Sequence, residues 1–165
     1  MAENFSFDIV SDFDRQELVN TIDQVRREIS QRYDLKDSNT SIDLEKENIY
    51  ILTNSELTLD SVVDILRQKA TKRKLSLKIF DFENIEVISG NRIKQSIKLK
   101  KGLDQEVAKK ISKEIRNQIK KINVSIQGES LRVSSKSKND LQMAIKMLDK
   151  FEEVFEIPLQ TNNYR

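Results

Sequence analysis

No cysteine and no histidine occur among the 165 residues, and proline and glycine are scarce, at one and three copies. Without cysteine there is no disulfide, no thiolate nucleophile and no thiolate metal ligand. Without histidine the commonest general base at neutral pH is missing. Three glycines leave no room for a phosphate-cradling loop or a dinucleotide fingerprint, and no clustered Asp motif suggests a metal. The acid pairs Asp12/Asp14 and Glu152/Glu153 fall where helix starts and solvated loops account for them. A non-enzymatic protein with no catalytic residues, no metal and no cofactor is therefore expected. No apolar run approaches the roughly 20 residues of a bilayer span. The start "MAENFSFDIV" lacks the basic flank and apolar stretch of a signal peptide. A cytoplasmic location without membrane contact is the expectation.

Charge is plentiful, at 34% of residues against 37% hydrophobic, and the net +2 conceals an imbalance. Residues 1–90 hold 12 Lys and Arg against 18 Asp and Glu, whereas residues 91–165 hold 17 against 9. This split predicts an acidic first domain, 1–90, and a basic second domain, 91–165, with the basic one suited to phosphate-bearing partners.

Hydrophobic periodicity supplies the elements. Phe5–Val10 alternates as a strand, and Ser11 with Asp14 three residues on resembles a capping box before a helix burying Leu18, Ile22, Val25 and Ile29. "TSIDLEKENIYILT" reads as a hairpin, and "TLDSVVDILRQKA" as a second helix. Either 75–80 or 84–89 closes the sheet; the pattern does not choose between them. The second half repeats this order. Arg92–Lys100 alternates, and Asp104 caps a helix with Val107, Ile111, Ile115 and Ile119 spaced by four. "KINVSIQGESLRVSS" forms a hairpin, Ser137 starts another helix, and "EVFEIPLQ" closes at an edge favoured by Pro158. The expected fold class is α+β: two tandem ferredoxin-like βαββαβ sandwiches, each a four-stranded antiparallel sheet with two helices on one face.

In such a sandwich one sheet face stays open. With Ile93, Ile97 and Leu99 facing Ile122, Val124, Ile126, Leu131 and Val133, the open face of the second domain would gather Arg92, Lys94, Ser96, Lys98 and Lys100 from one strand. Asn123, Ser125 and Gln127 would come from the next, and Arg132 and Ser134 from the third. Cations attract phosphate, and amides and hydroxyls hydrogen-bond bases or sugars, so these ten residues are the candidate nucleotide-binding site. Neither "RIKQSIKLK" nor "SLRVSSK" holds an aromatic residue, which leaves base stacking to the guanidinium planes of Arg92 or Arg132. The first hairpin would expose Ser41, Asp43 and Glu45, whose two carboxylates repel phosphate, so that domain reads as structural or protein-binding.

The segments "SFDIVSDFDRQELVNTIDQVRREISQRYDL", "VDILRQK", "IKLKKGLDQEVAKKI", "VSIQGESLRVSSKSKNDLQ" and "PLQTNNYR" together resemble the YajQ family of small bacterial nucleotide-binding proteins over essentially the whole chain. The family usually has Gly after "RYDLK", where this chain has Asp37. The resemblance implies two ferredoxin-like domains of the RNA-recognition type, an N-terminal strand able to pair outside its own domain, and binding of nucleotides or nucleic acid. Cyclic dinucleotides such as cyclic di-GMP, and a transcription-factor partner, are implied for some relatives.

Two expectations follow. The first is a binder of nucleotides or single-stranded nucleic acid, RNA included, acting through the basic sheet. The second is an adaptor that meets a regulatory protein through its acidic domain, with weak or regulatory nucleotide binding.

Overall fold

The computed structural model describes residues 4–165. It is an α+β structure with two antiparallel sheets. In chain order the elements are β1 (Phe5–Val10), α1 (Arg15–Gln31), β2 (Ser41–Leu44), β3 (Asn48–Thr53), α2 (Glu56–Lys72), β4 (Phe80–Phe82), β5 (Glu86–Ile88) and β6 (Arg92–Leu99). There follow α3 (Gln105–Gln118), β7 (Asn123–Gln127), β8 (Ser130–Ser135), α4 (Lys138–Lys146), α5 (Leu148–Phe155) and β9 (Gln160–Asn162).

The chain divides into a unit of residues 13–100 and a unit made of residues 1–12 with 101–165. One sheet runs β7-β8-β1-β9; the other runs β2-β3-β6-β4, with β5 also on β6. The expected division at residue 90 therefore misplaces two strands. β6 pairs with β3, aligning Asn48 with Lys98 and Thr53 with Ile93, whereas β1 pairs with β8, aligning Phe7 with Val133. Each strand closes the sheet that the sequence order assigned to the other. The reason is physical: alternation fixes which side chains face a core but not which core. Phe7 and Ile9 satisfy the core containing Ile111, Leu131 and Val133. Ile93, Ile97 and Leu99 satisfy the one containing Ile49, Ile51 and Leu66, not the expected partners Ile122 to Val133.

The exchange also cancels the charge split. Residues 13–100 carry 16 Lys and Arg against 15 Asp and Glu, and the other unit carries 13 against 12. No acidic domain and no basic domain exist as folded units.

Local signals mostly hold. Leu18, Ile22, Val25 and Ile29 are buried on α1, and Leu59, Val62, Val63, Leu66 and Ala70 on α2. The α1 cap is Asp14, whose Oδ1 accepts from the amides of Gln16 and Glu17 at 3.0 and 3.2 Å. Ser11 is instead buried three residues before that cap, and its hydroxyl is unpartnered among the described residues. Asp104 and Ser137 cap α3 and α4 as expected. In the turn after α1, the left-handed residue is Asn39 (φ 54°) and not Asp37.

Neither 75–80 nor 84–89 closes its sheet alone. Phe80–Phe82 pairs with the end of β6 and Glu86–Ile88 with its start. Residues 83–85 stand opposite only Gln95 and Ser96, a one-residue bulge. The buried Gln95 amide anchors it by donating to the Glu83 carbonyl at 2.9 Å. The other sheet closes not with 153–160 but with Gln160–Asn162, because α5 continues through Phe155. That strand too is bulged. Asp8 pairs with Asn162, but Ser6 bonds Arg165, so Asn163 and Tyr164 stand opposite Phe7 alone. Asn163 takes the left-handed conformation this requires, φ 54°.

Candidate functional site

The ten residues expected to share one face occupy two sheets. Arg92, Lys94, Ser96 and Lys98 lie on β6 in the unit of residues 13–100, and Lys100 follows the strand. Asn123, Ser125 and Gln127 on β7, and Arg132 and Ser134 on β8, lie in the other unit. The strip of Lys94, Lys98, Asn123 and Arg132 across three strands is not formed.

On the β7–β8–β1–β9 sheet the register aligns Asn123 with Ser134, Ser125 with Arg132 and Ser6 with Ser134. The same register sets Asp8 directly opposite Arg132. The Arg132 guanidinium donates from Nε to Asp8 Oδ1 at 3.0 Å and from Nη2 to Oδ2 at 3.4 Å. Asn163 Nδ2, aimed by the tail bulge, donates to the same Oδ2 at 2.9 Å. The Arg132 hydrogen bond holds the Asp8 carboxyl below its ordinary pKa against the opposing effect of burial; the Asn163 bond and the nearby charges add to it. The Arg132 pKa rises correspondingly. Arg132 is thus matched by an internal carboxylate, a neutral pair set among amides and hydroxyls, with the charge of Arg165 close enough to act on Asp8 as well.

The other sheet is different. On β3, Ile49, Ile51 and Thr53 turn to the core, so Asn48, Tyr50 and Leu52 point to the open face. On the adjacent β6 the buried Ile93, Gln95, Ile97 and Leu99 alternate with Arg92, Lys94, Ser96 and Lys98. Register places Lys98 beside Asn48, Ser96 beside Tyr50, and Lys94 beside Leu52. The Lys94 ammonium lies 5.1 Å from the Tyr50 ring centroid, within cation–π range. A half-exposed aromatic ring on a central strand, flanked by two lysines, a serine and an asparagine, makes a surface that can stack a flat base and neutralise phosphate. Arg92 is engaged, its Nη2 donating to the Asn39 carbonyl.

Acids share this face. Asp81 is opposite Lys98 and Glu86 opposite Lys94 across β4 and β5, and Asp43 is opposite Tyr50 on β2. Asp43 is partly drawn off by Arg26, at 3.6 Å. Tyr50 and Leu52 were missed by reasoning from the sequence, although the alternation of "NIYILT" already sets Tyr50 opposite the core residues. What hid them was the assumption that their hairpin had only acidic neighbours.

The fold defines a class: paired small antiparallel sheets, each backed by helices and open on one face. A family model described as nucleotide-binding protein YajQ-like matches residues 5–165, and the chain belongs to that family. It is 76% identical over all 165 residues, and the full length of the relative, to a nucleotide-binding protein of Prochlorococcus marinus subsp. pastoris. It is 73% and 62% identical, again over both full lengths, to proteins of the same description from Prochlorococcus marinus strains MIT 9515 and MIT 9211. None of these names carries an enzyme activity. Among the described residues no helix is long and apolar enough to cross a membrane.

Proposed function

We propose that this chain binds nucleotides or single-stranded nucleic acid, without turnover, on the open face of the β2–β3–β6–β4 sheet. The supporting observation is Tyr50 beside Lys94 on adjacent strands, with Lys98 one register step beyond Ser96. The relatives' names point to the same ligand class. Tyr50 stacks a base, Lys94 moves from the ring to a phosphate, Lys98 contacts the next phosphate, and Asn48 and Ser96 hydrogen-bond base edges or sugar hydroxyls. This replaces the ten-residue site with its β6 part, completed by β3. The β7–β8 residues have a lesser role, because Arg132 would have to leave Asp8 to meet a phosphate.

The test is a fluorescence-polarisation panel of ATP, GTP, cyclic di-GMP, short RNA and short DNA at two salt concentrations, on the intact chain and on Tyr50→Ala. Loss of binding in Tyr50→Ala supports the reading. Unchanged binding in Tyr50→Ala, or binding lost only in Arg132→Ala, moves the site to the other sheet.

A further inference from the structure

We propose that the groove between α3 and α5 docks an acidic amphipathic helix of a partner protein. The two units treat their helix layers differently. In residues 13–100, α1 and α2 pack along their length. Their seam is bridged by Arg73 to Glu17 at 3.1 Å and by Lys69 to Glu28 at 3.2 Å. In the other unit α3 and α5 stand apart around an open groove of about 760 Å³. The chain turns at Met147, between α4 and α5, and no ion pair among the described residues spans the gap.

The groove has an apolar floor and basic walls. Met147, the cap of α5, and Lys150, Phe151, Val154 and Phe155 on it follow the i, i+3, i+4, i+7, i+8 pattern of one helix face. Phe151 and Phe155 stack side by side with centroids 6.3 Å apart, and Val154 is 62% exposed although it borders this floor. On α3, Lys110 and Lys113 lie one turn apart and face Lys150 across the gap. None of these three lysines forms an ion pair among the described residues. Glu114 is the single acid of the lining. Hydrophobic burial at the centre with cations at the rim is the complement of a helix bearing apolar residues at i, i+3, i+4 and i+7 between Asp or Glu flanks. Nucleic acid fits less well, because Phe151 offers no exposed ring face. A bilayer surface fits less well because it cannot follow a concave groove.

The test selects 16-residue peptides from a random display library on the full chain. The enriched peptides are then synthesised and titrated by anisotropy against the unaltered chain, Lys113→Glu/Lys150→Glu and Val154→Asp. All three substitutions fall at solvent-facing positions, and circular dichroism checks that the fold is kept. The expected result is enrichment of acidic amphipathic helical sequences, with binding weakened at least about tenfold by either variant. Replacing the peptide's acids by lysine should restore binding to the double variant. No enrichment, enrichment of peptides without this pattern, or binding indifferent to both variants overturns the proposal. So does capture of phosphatidylglycerol vesicles, or self-association of the chain, through these same residues in place of peptide binding.

Discussion

The two units put four comparable strands in the same spatial order, and one edge of each sheet carries a one-residue bulge, yet the two open faces work out differently. In residues 13–100 the bulge is tied from within by Gln95, and the central strands are left with Tyr50 and two lysines. In the other unit the bulge at Asn163 turns an amide onto Asp8, and Asp8 holds Arg132. One architecture thus leaves two lysines without an ion pair among the described residues in one copy, and ties Arg132 to a carboxylate in the other. Strand order alone does not make a binding surface. Lys98 and Lys94 also stand across the ladder from carboxylates, Asp81 and Glu86, but among the described residues neither forms an ion pair, whereas Arg132 is held by the buried Asp8.

The largest expected effect breaks the comparison at its strands. A fragment of residues 91–165 lacks β1, which lies between β8 and β9, and carries β6, whose partners are gone. It should fail to fold, read as loss of cooperative thermal unfolding by circular dichroism. Residues 13–100 contain a complete sheet and core, and should fold and retain nucleotide binding. A folded, binding 91–165 fragment would show that the strands are not exchanged.

Next in size is the open face itself. Tyr50→Ala should weaken binding of a short single strand by about 1–3 kcal/mol, the usual worth of a stacked base. Lys94→Ala with Lys98→Ala should flatten the salt dependence by about 1.4 in log–log slope, about 0.7 per phosphate contact. Arg132→Ala should leave that slope unchanged. An equal loss of slope in Arg132→Ala would mean that both faces bind.

Asp8→Asn should cost about 1–3 kcal/mol in the unfolding free energy by removing the charged acceptor of Arg132. Its pH dependence has a definite sign. The folded-state pKa is lowered by the arginine, so the stabilisation is fully present above the unfolded value of about 3.9 and is lost as pH falls toward the folded value. Urea midpoints of the original chain and Asp8→Asn should therefore converge below pH 4. A gap that stays constant down to pH 3 would contradict the charge-pair account.

The smallest effect refines the open face. Asp81→Asn with Glu86→Gln removes the carboxylates opposite Lys98 and Lys94, and should tighten nucleotide binding by about two- to fivefold at low salt, less as salt rises. A weakening would mean that these acids position the lysines instead of opposing the phosphates.

How much was legible before folding is seen in particular residues. The strand Phe5–Val10, the faces of α1 and α2 and the caps Asp104 and Ser137 are local, and each was readable because caps and periodicity act over a few residues. Of the candidate site, Lys94, Ser96 and Lys98 were correctly placed on an open face, since alternation alone decides that. Their neighbours were not. Asn123 and Ser125 were expected beside them, whereas Asn48, Tyr50 and Leu52 are there.

The sequence by itself determined the length and facing of most elements, the absence of thiol and imidazole chemistry, and the family. Only the tertiary structure decided that β1 and β6 trade sheets, that the charge imbalance between halves vanishes between units, and that Asp8 neutralises Arg132. The physical reason lies in the range of the forces. Dihedral preference, capping and alternation are settled within a dozen residues. Strand partnership depends on which of two similar apolar faces fills which core, and that is settled between residues more than 100 apart, as for Phe7 and Val133.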